Sequence, residues 1–359
     1  MERRTGLDIM RMAAILIVVL GHTSILLEGT SLKDFPYFKP IDGVDLFFVL
    51  SGFLIGGIML RDFNKHSNIL DLLTFWKRRW FRTLPLYFLI LGLNYLVLKN
   101  GWIKGDIQQA NWTFLFFLQN LSQPFFDFFW ESWSLSVEEW FYLSSPIIFF
   151  ILLKLISKKT AFFVTICLMI SSTFLFRLLN TTAQIDPFFF DITFKKVVLM
   201  RLDSIAFGLL FAWLHVYHSS VLMKFKYHFL FICILILSYQ RTIDLDVTSK
   251  FAQVVYLTLS PMALSLSIPF FYSIQLNKNM FTKVVTLISK ISYSMYLINL
   301  ALVIEIIHIN FNATNGIIQY LSAWFFIISA SYLLYTFFEK PLMNLRDKPL
   351  KSFFRKIDA

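Results

Sequence analysis

The chain alternates between long runs of apolar residues and short segments that contain most of its charged residues. Ten of these runs approach the roughly 20 residues that an α-helix needs to cross a hydrocarbon core of about 30 Å. Because a segment in lipid must satisfy its own backbone hydrogen bonds, the pattern predicts an all-α, polytopic bundle of about ten transmembrane helices. We predict these helices at residues 7–27, 41–60, 83–99, 133–153, 160–178, 196–214, 227–240, 251–273, 288–308 and 317–337.

Two short apolar runs leave the number of spans open. The run at 112–121 (WTFLFFLQNL) is too short to cross a bilayer and precedes Pro124, so we interpret it as an interfacial or re-entrant segment. The run at 227–240 is also short, although we count it as a span. If 112–121 were a span the total would be eleven, and if 227–240 were not a span it would be nine.

The composition indicates a membrane protein and argues against nucleic-acid binding, a metal site and a disulfide framework. Hydrophobic residues make up 57% of the chain and charged residues only 15%, whereas soluble domains average about 25% charged residues. The net charge of +11 comes from basic residues that flank the apolar runs, so we expect no nucleic-acid partner. Cys167 and Cys233 lie inside apolar runs without a partner at metal-ligand spacing, and we expect neither a metal site nor a disulfide.

The distribution of Lys and Arg predicts the orientation in the membrane. Most of the 33 basic residues fall in segments on the same side as the N-terminus, which places both termini in the cytoplasm. Arg3 and Arg4 precede the first apolar run as in a signal peptide, but Asp8 and Arg11 interrupt it, so we interpret it as an uncleaved span. We expect one membrane domain, residues 1–340, and a short basic cytoplasmic tail, residues 341–359.

The first span has an ionisable residue near each end. Arg11 and His22 are eleven residues apart, which places them on one face of a helix, about 16 Å from each other. An ionisable side chain deep in a span costs at least about 2.5–3.5 kcal/mol, so each of the two needs a partner or a function. The structural alternative is a snorkelling arginine and a histidine that is hydrogen-bonded inside the bundle.

Three other spans place polar residues at the depth of His22. GVDLFFVLSGFLI (43–55) contains Asp45 and, deeper in the span, Ser51. WSLSVEEWFYL (133–143) contains Glu138 and Glu139, and MRLDSIAFG (200–208) contains Arg201 and Asp203. Adjacent helical residues point about 100° apart, so we expect only one of the two glutamates to face a shared site. Alternatively, Arg201 forms a structural ion pair with Asp203 or Glu138.

A cationic cluster precedes Pro85 in FWKRRWFRTLPLYF (75–88). Arg79 and Arg82, or Arg78 and Arg82, share a helical face, and guanidinium groups bind phosphate well. The alternative is an ordinary cytoplasmic anchor of the membrane span.

The sequence resembles the acyltransferase 3 family of membrane acyltransferases. The segments that carry the resemblance extend over nearly the whole chain: RMAAILIVVLGH, GVDLFFVLSGFLI, RRWFRTLPLY, WSLSVEEWFYL, RLDSIAFG, ISYSMYLIN and FFEKPL. The resemblance implies transfer of an acyl group, usually from acetyl-CoA, to a sugar hydroxyl of an envelope glycan such as O-antigen, exopolysaccharide, capsule or a lipid-linked sugar. It also implies a multi-pass protein of the bacterial inner membrane whose partners are acetyl-CoA, a glycan and the bilayer, without a permanently bound cofactor.

The resemblance also implies roles for individual residues. His22 matches the family's essential histidine and Arg11 the arginine that precedes it at a fixed spacing. The other motif positions are Asp45, Ser51, Arg78, Arg79, Arg82, Glu138, Arg201 and Asp203. Two positions depart from the family pattern: Trp140 replaces an expected Gln, and Asn299 replaces a histidine that many members have, which leaves no supporting role for a histidine in span nine.

The mechanism that fits these residues uses His22 as general base. A neutral imidazole would remove the proton of the acceptor hydroxyl while its oxygen attacks the thioester, and Asp45 or Glu138 would orient the ring. Arg11 and the cluster at 78–82 would hold the phosphates of the donor, and an acetyl-histidine intermediate stays possible. A secondary transporter is the rival, because intramembrane ionisable residues also build proton or solute pathways.

Overall fold

The structure is a computed structural model that describes residues 3–33, 42–311 and 314–346. Ten helices lie where the sequence predicts spans, and the described residues contain no β-strand, so the predicted all-α class is confirmed. These helices are α1 (Thr5–Leu27), α2 (Gly43–Asp62), α3 (Ile69–Lys99), α4 (Ser132–Leu155), α5 (Lys158–Leu179), α6 (Leu202–Tyr217), α7 (Lys226–Thr242), α8 (Phe251–Ser273), α9 (Met280–Asn310) and α10 (Gly316–Leu345).

Eight helices of the described chain are long and apolar enough to cross a membrane. The other two, α6 and α7, have 16 and 17 residues, so they lie at the short end of what a bilayer requires. The apolar run at 112–121 does not form a span, because its regular part is only the 3₁₀-helix Trp112–Phe116. This agrees with the interpretation of the run as a non-spanning segment.

Helix α3 begins fourteen residues before the predicted span. Its first turn is capped by Asn68, whose side chain accepts from the backbone N–H of Leu70 and Asp71, while the carboxylate of Asp71 accepts from the N–H of Asn68. The helix continues through Pro85. The arginine cluster therefore lies within about one turn of a single long helix, and Arg79 and Arg82 line a cavity while Arg78 is exposed.

The centre of the bundle is a close contact between α2 and α6. A Cβ atom on Gly52 would lie 2.0 Å from the carbonyl oxygen of Ile205, and one on Gly208 would lie 2.1 Å from that of Val49. Only glycine permits the two backbones to approach this closely, as in other membrane helix pairs. The contact fixes α2, which contains Asp45 and Ser51, against α6.

Helix α1 packs against α2 and α9. Helix α9 changes from α-helical to π-helical geometry over Asn299–Glu305, opposite the end of α1. A π-helical turn widens the helix and shifts the register of the residues after it, and such turns are frequent at functional sites. Here the turn begins at the residue that contacts His22.

The predicted tail at 341–359 starts as an extension of the last helix, since Lys340–Arg346 is helical. The helix therefore continues past residue 340, the predicted end of the membrane domain. The remainder of the predicted tail, residues 347–359, lies outside the described residues. The side of the membrane on which each terminus lies stays a prediction.

Candidate active site

His22 lies near the end of α1 and makes a hydrogen bond to α9. Its Nδ1 is 2.6 Å from Oδ1 of Asn299. The amide nitrogen of Asn299 donates to the carbonyl oxygens of Met295 and Tyr296, at 3.1 and 2.6 Å, which fixes the orientation of this amide. The oxygen of Asn299 therefore faces the imidazole, and Nδ1 of His22 must carry the hydrogen. This tautomer leaves Nε2 with a lone pair that can accept a proton.

The sequence predicted that Asp45 or Glu138 orients His22, and the structure gives this contact to Asn299 instead. The physical reason is that α1 packs beside α9, while both carboxylates have other partners. The absence of a histidine at position 299 therefore does not leave the catalytic candidate unsupported. An asparagine side chain fills the role of a neutral hydrogen-bond acceptor.

His22 faces a cavity that we call the histidine cavity. Besides His22, its lining contains charged residues of both signs and several aromatic rings: Asp42, Asp45, Trp130, Glu131, Trp133, Asp191, Lys195, Lys196, Arg201, Arg241 and Tyr296. Tryptophan faces and paired charged groups suit the apolar faces and the hydroxyls of a sugar. Its lining combines residues next to the start of α4, residues of the segment before α6 and residues between α7 and α8.

Asp45 and Arg201 form a buried ion pair on one wall of the histidine cavity. A guanidinium nitrogen of Arg201 donates to the carboxylate of Asp45, and the same side chain donates to the carbonyl oxygen of Leu257 at 3.3 Å. Both side chains are nearly inaccessible. The alternative interpretation, in which Arg201 pairs with Asp203 or Glu138, is therefore wrong, because Asp45 of α2 lies opposite Arg201 instead.

Asp203 belongs to a different and fully buried ion pair. Arg177 of α5 donates to its carboxylate at 2.9 Å, and the hydroxyl of Thr258 donates to the second oxygen at 2.8 Å. Arg177 also donates to the carbonyl oxygens of Met200 and Val254. Asp203 lines none of the cavities described here, so the geometry assigns it to holding α5, α6 and α8 together.

Glu131 is a carboxylate of the histidine cavity that sequence reasoning did not select. It precedes α4, is only 2% exposed, and accepts from the backbone N–H of Ala301 at 3.0 Å through Oε1. Among the described residues, its buried Oε2 has no hydrogen-bond partner. Burial raises the pKa of Glu131 to about 7. The unpartnered oxygen is therefore available to a ligand of this cavity.

Asp42 and Lys195 form an ion pair at the rim of the same cavity. Nζ of Lys195 lies 2.9 Å from Oδ2 of Asp42. Burial opposes ionisation of Asp42, but the ammonium of Lys195 outweighs it and lowers the pKa of Asp42 to about 2. In turn, the carboxylate of Asp42 raises the pKa of Lys195. The pair stays charged across the physiological range and fixes the segment before α2 against the segment before α6.

A second space, the central cavity, lies inside the bundle and contains the polar residues of α2, α3 and α4. Ser51, Arg79 and Glu138 line it, together with Arg11 and Arg82. Arg79 donates to the hydroxyl of Tyr142, which is also hydrogen-bonded to Ser51, and the guanidinium lies 4.2 Å from the centre of the Tyr142 ring. The predicted supporting role of Ser51 thus has a geometric basis, since it helps to hold Arg79.

The two adjacent glutamates of α4 face in different directions, as predicted. Glu138 lines the central cavity beside Arg79 and Arg82. Glu139 is buried and accepts from the hydroxyl of Thr83 at 2.8 Å. However, Glu138 does not share a cavity with His22. The single polar level predicted across four helices is therefore wrong, because these residues are divided between the two cavities.

Arg11 lies between the central cavity and a third space at the start of α1. Its Nη1 is 3.6 Å from the carboxylate of Asp8 and 3.3 Å from the hydroxyl of Ser289. Asp8 also accepts from Arg3 at 2.5 Å and from Ser289 at 2.8 Å. We call this third space the N-terminal vestibule; its polar lining is Arg3, Arg4, Asp8, Arg11, Arg82, Tyr272, Ser289, Lys290, Tyr335, Glu339 and Asn344.

Arg78 lies apart from the other arginines of the cluster. It is more than half exposed, and its Nη1 is 3.9 Å from the carboxylate of Asp62. It lines a side pocket between α2 and α3 whose other charged residues are Arg61, Asp62, Asp71, Arg79 and Arg82. The structure therefore separates Arg78 from Arg11, while Arg79 and Arg82 line the central cavity.

The three main spaces follow one another through the bundle. The N-terminal vestibule and the central cavity share Arg11, Leu54 and Arg82 as lining residues. The central cavity and the histidine cavity share Val44 and Tyr296. Three neighbouring cavities, which we call the chain of cavities, thus lie in sequence from the cationic start of α1 to the imidazole at its other end.

The sequence alone contained weak signals for the residues that were missed. Asn299 is a polar residue inside an apolar run, at a position where the family pattern often has a histidine. Glu131 precedes a span and has the sequence context of an ordinary loop residue. Asp8 interrupts the first apolar run, and in the structure it contacts both Arg3 and Arg11.

Comparison with known proteins places the chain in a family. The sequence model of the acyltransferase 3 family, described as an acyltransferase domain, matches residues 4–336. A protein of Staphylococcus aureus strain MSSA476, provisionally named an O-acetyltransferase, is 34% identical over 44% of this chain and 27% of its own length. The peptidoglycan O-acetyltransferase OatA of Listeria monocytogenes is 36% identical over 31% of this chain and 20% of its own.

A third relative is the O-acetyltransferase OatA of Staphylococcus aureus strain NCTC 8325, which is 30% identical over 41% of this chain and 25% of its own length. The match spans about a quarter of the length of these curated relatives. No solved structure matches the chain. Because the family model covers nearly all of the sequence, the chain belongs to the acyltransferase 3 family.

Proposed function

We propose that the protein is a membrane-embedded O-acetyltransferase that moves an acetyl group from acetyl-CoA to a sugar hydroxyl of a bacterial cell-envelope glycan. The relatives named as O-acetyltransferases support the reaction class, and the one named for peptidoglycan supports an envelope glycan as acceptor. The observation that carries the proposal is the chain of cavities with arginines at one end and an oriented, proton-accepting imidazole at the other.

The donor binds at the end with the arginines. Arg11, Arg79 and Arg82 line the central cavity or its junction with the vestibule, and guanidinium groups pair well with phosphate oxygens. Arg11 and His22 lie about 16 Å apart along one helix, which suits an extended pantetheine arm with its phosphates near Arg11 and its thioester near His22. Ser51 and Tyr142 hold Arg79 in the position that faces this path.

The acceptor binds in the histidine cavity. Nε2 of His22 removes the hydroxyl proton while the sugar oxygen attacks the thioester carbonyl, so a C–O bond forms and the C–S bond breaks. The proton on His22 then passes to the departing thiolate, which leaves as CoA. Asn299 holds Nδ1–H throughout and keeps Nε2 directed at the hydroxyl. Asp45 acts on this site through Arg201 and not through His22, and Glu138 acts on the donor side.

The two ends of this path suggest that donor and acceptor arrive from opposite sides of the membrane. The proposal places both termini and the vestibule in the cytoplasm, where acetyl-CoA is made, and the histidine cavity at the outer surface. Sealed vesicles of known orientation test this arrangement, with acetyl-CoA confined to one side and acceptor glycan to the other. Acetylation only when both substrates are on the vestibule side would contradict it.

Release of CoA from labelled acetyl-CoA by the purified protein tests the reaction itself, and it separates the enzyme from a transporter. We expect His22→Ala to lower the rate by about 10² to 10⁴, as expected for loss of a general base, while the protein stays folded and inserted. His228→Ala is the matched control, because His228 is an exposed histidine that lines none of the described cavities. Equal rates for the two variants would exclude His22 as the base.

A further inference from the structure

We propose that the N-terminal vestibule holds the nucleotide end of the donor, with Arg4 and Lys290 as contacts to its phosphates. This inference rests on the proposed function, because it places one part of acetyl-CoA. The alternative place is the side pocket of Arg61 and Arg78, which also touches Arg79 and Arg82. Both openings share lining residues with the central cavity, but they differ in how their cations are paired and in the geometry of their arginines.

Two of the four arginines that line the side pocket already have a carboxylate partner. Arg61 contacts Asp62 at 2.6 Å, Arg78 lies 3.9 Å from the same carboxylate, and Asp71 also lines the pocket. A phosphate that entered would meet two carboxylates and would have to compete for both arginines. We therefore expect the side pocket to bind a polyanion only weakly.

The vestibule contains two cations, Arg4 and Lys290, that form no ion pair with a carboxylate among the described residues. Among the described residues, neither Arg4 nor Lys290 has a carboxylate within 4.0 Å, whereas Asp8 is shared by Arg3 and Arg11. Its second carboxylate, Glu339, accepts from Ser294 and is nearly buried. The vestibule thus combines five basic residues with two carboxylates that already have partners, and a polyanionic ligand would be attracted to it.

The position of Arg4 is fixed by an aromatic ring. Its guanidinium carbon lies 5.0 Å from the centre of the Tyr272 ring, and Tyr272 is held in turn by His215, 4.3 Å away between ring centres. A stacked guanidinium keeps its edge free to donate hydrogen bonds. Arg4 therefore offers a pre-oriented fork to a phosphate.

The vestibule also continues into the path toward His22. Arg11, Leu54 and Arg82 line both the vestibule and the central cavity. A nucleotide held by Arg4 and Lys290 would lie before Arg11 on the same helix, and its pantetheine arm could follow α1 inward. In this arrangement the phosphates, the arm and the thioester occupy consecutive spaces.

Calorimetric binding of three ligands tests the placement: CoA, 3′-dephospho-CoA, which lacks one phosphate, and pantetheine, which lacks the nucleotide. We expect Lys290→Gln and Arg4→Gln each to weaken CoA binding about tenfold or more, as for loss of a charge-assisted hydrogen bond, and to leave pantetheine binding unchanged. The variant that removes the contact to the 3′-phosphate should bind CoA and 3′-dephospho-CoA equally.

Lys283→Gln is the matched control, because Lys283 is an exposed lysine of the same helix that lines none of the described cavities. Normal CoA affinity in Lys290→Gln and Arg4→Gln, with weakened affinity in Arg78→Gln, would place the nucleotide in the side pocket and overturn the inference alone. If the unmodified protein neither bound CoA nor released it from acetyl-CoA, the proposed function would fail and this inference with it.

Discussion

His22 of α1 and Asn299 of α9 are joined by a hydrogen bond of 2.6 Å between Nδ1 and Oδ1. Asn299 is itself fully buried, and its amide nitrogen is held by two carbonyl oxygens of its own helix. The imidazole is therefore oriented by a neutral amide whose oxygen and nitrogen cannot exchange positions by rotation. A neutral acceptor fixes the tautomer of His22 without stabilising the imidazolium as strongly as a carboxylate would.

Asn299→Ala should lower kcat for acetyl transfer and leave the KM for acetyl-CoA nearly unchanged. The ring would lose its fixed tautomer, but the donor cavities would not change. We expect a smaller effect than the roughly 10²- to 10⁴-fold loss that removal of a general base produces. Asn94→Ala, another fully buried asparagine that lines no described cavity, is the control for loss of packing. Equal kcat values in the two variants would remove Asn299 from the site.

Glu131→Gln should change how stability depends on pH. Burial raises the pKa of Glu131 to about 7, compared with an ordinary value of 4.5, so the folded protein binds more protons than the unfolded chain between these values. Stability then falls as pH rises through this window, by up to about 3 kcal/mol. The Gln variant should therefore melt at a higher temperature than the unmodified protein at pH 8, and the difference should shrink by pH 5.

Melting in detergent at several pH values measures this effect. Glu28→Gln, at an exposed glutamate, should follow the unmodified protein at every pH. A difference between Glu131→Gln and the unmodified protein that stayed constant from pH 5 to pH 8 would show that Glu131 does not titrate in this window.

Asp203→Asn should destabilise the protein without altering the chemistry of the folded molecules. It would leave Arg177 buried without its carboxylate, and breaking a buried ion pair typically costs about 3–5 kcal/mol. We expect a lower yield and a lower melting temperature, with unchanged kcat per folded molecule. Asp244→Asn, at an exposed aspartate, is the control. Normal melting combined with lost turnover would instead assign Asp203 to the active site.

A cysteine placed at Lys104 should react with a membrane-impermeant reagent added to intact cells. Lys104 is exposed in the segment between α3 and α4, which the distribution of Lys and Arg places outside. The background variant should have Cys167 and Cys233 replaced by Ala, and a cysteine at the exposed Lys224 should react only after permeabilisation. The reverse pattern of labelling would invert the proposed topology.

The sequence by itself determined the class of fold and most of the helices. Apolar runs of about 20 residues predict spanning helices directly, because lipid leaves the backbone no other hydrogen-bond partner. The same local rule failed for α3, where a capping box at Asn68 starts the helix well before the apolar run. The placement of Arg11 and His22 on one helix was also predictable, because the spacing of two residues along a helix is a local property.

Only the tertiary structure decided which polar residues meet. Asp45 pairs with Arg201 and Asp203 with Arg177, although Arg201 and Asp203 are two residues apart in the sequence. Such pairings depend on which helices are neighbours and on their relative depth, and a one-dimensional pattern contains neither quantity. For the same reason the sequence assigned a carboxylate to His22, whereas the packing of α1 against the π-helical turn of α9 brings Asn299 to the imidazole.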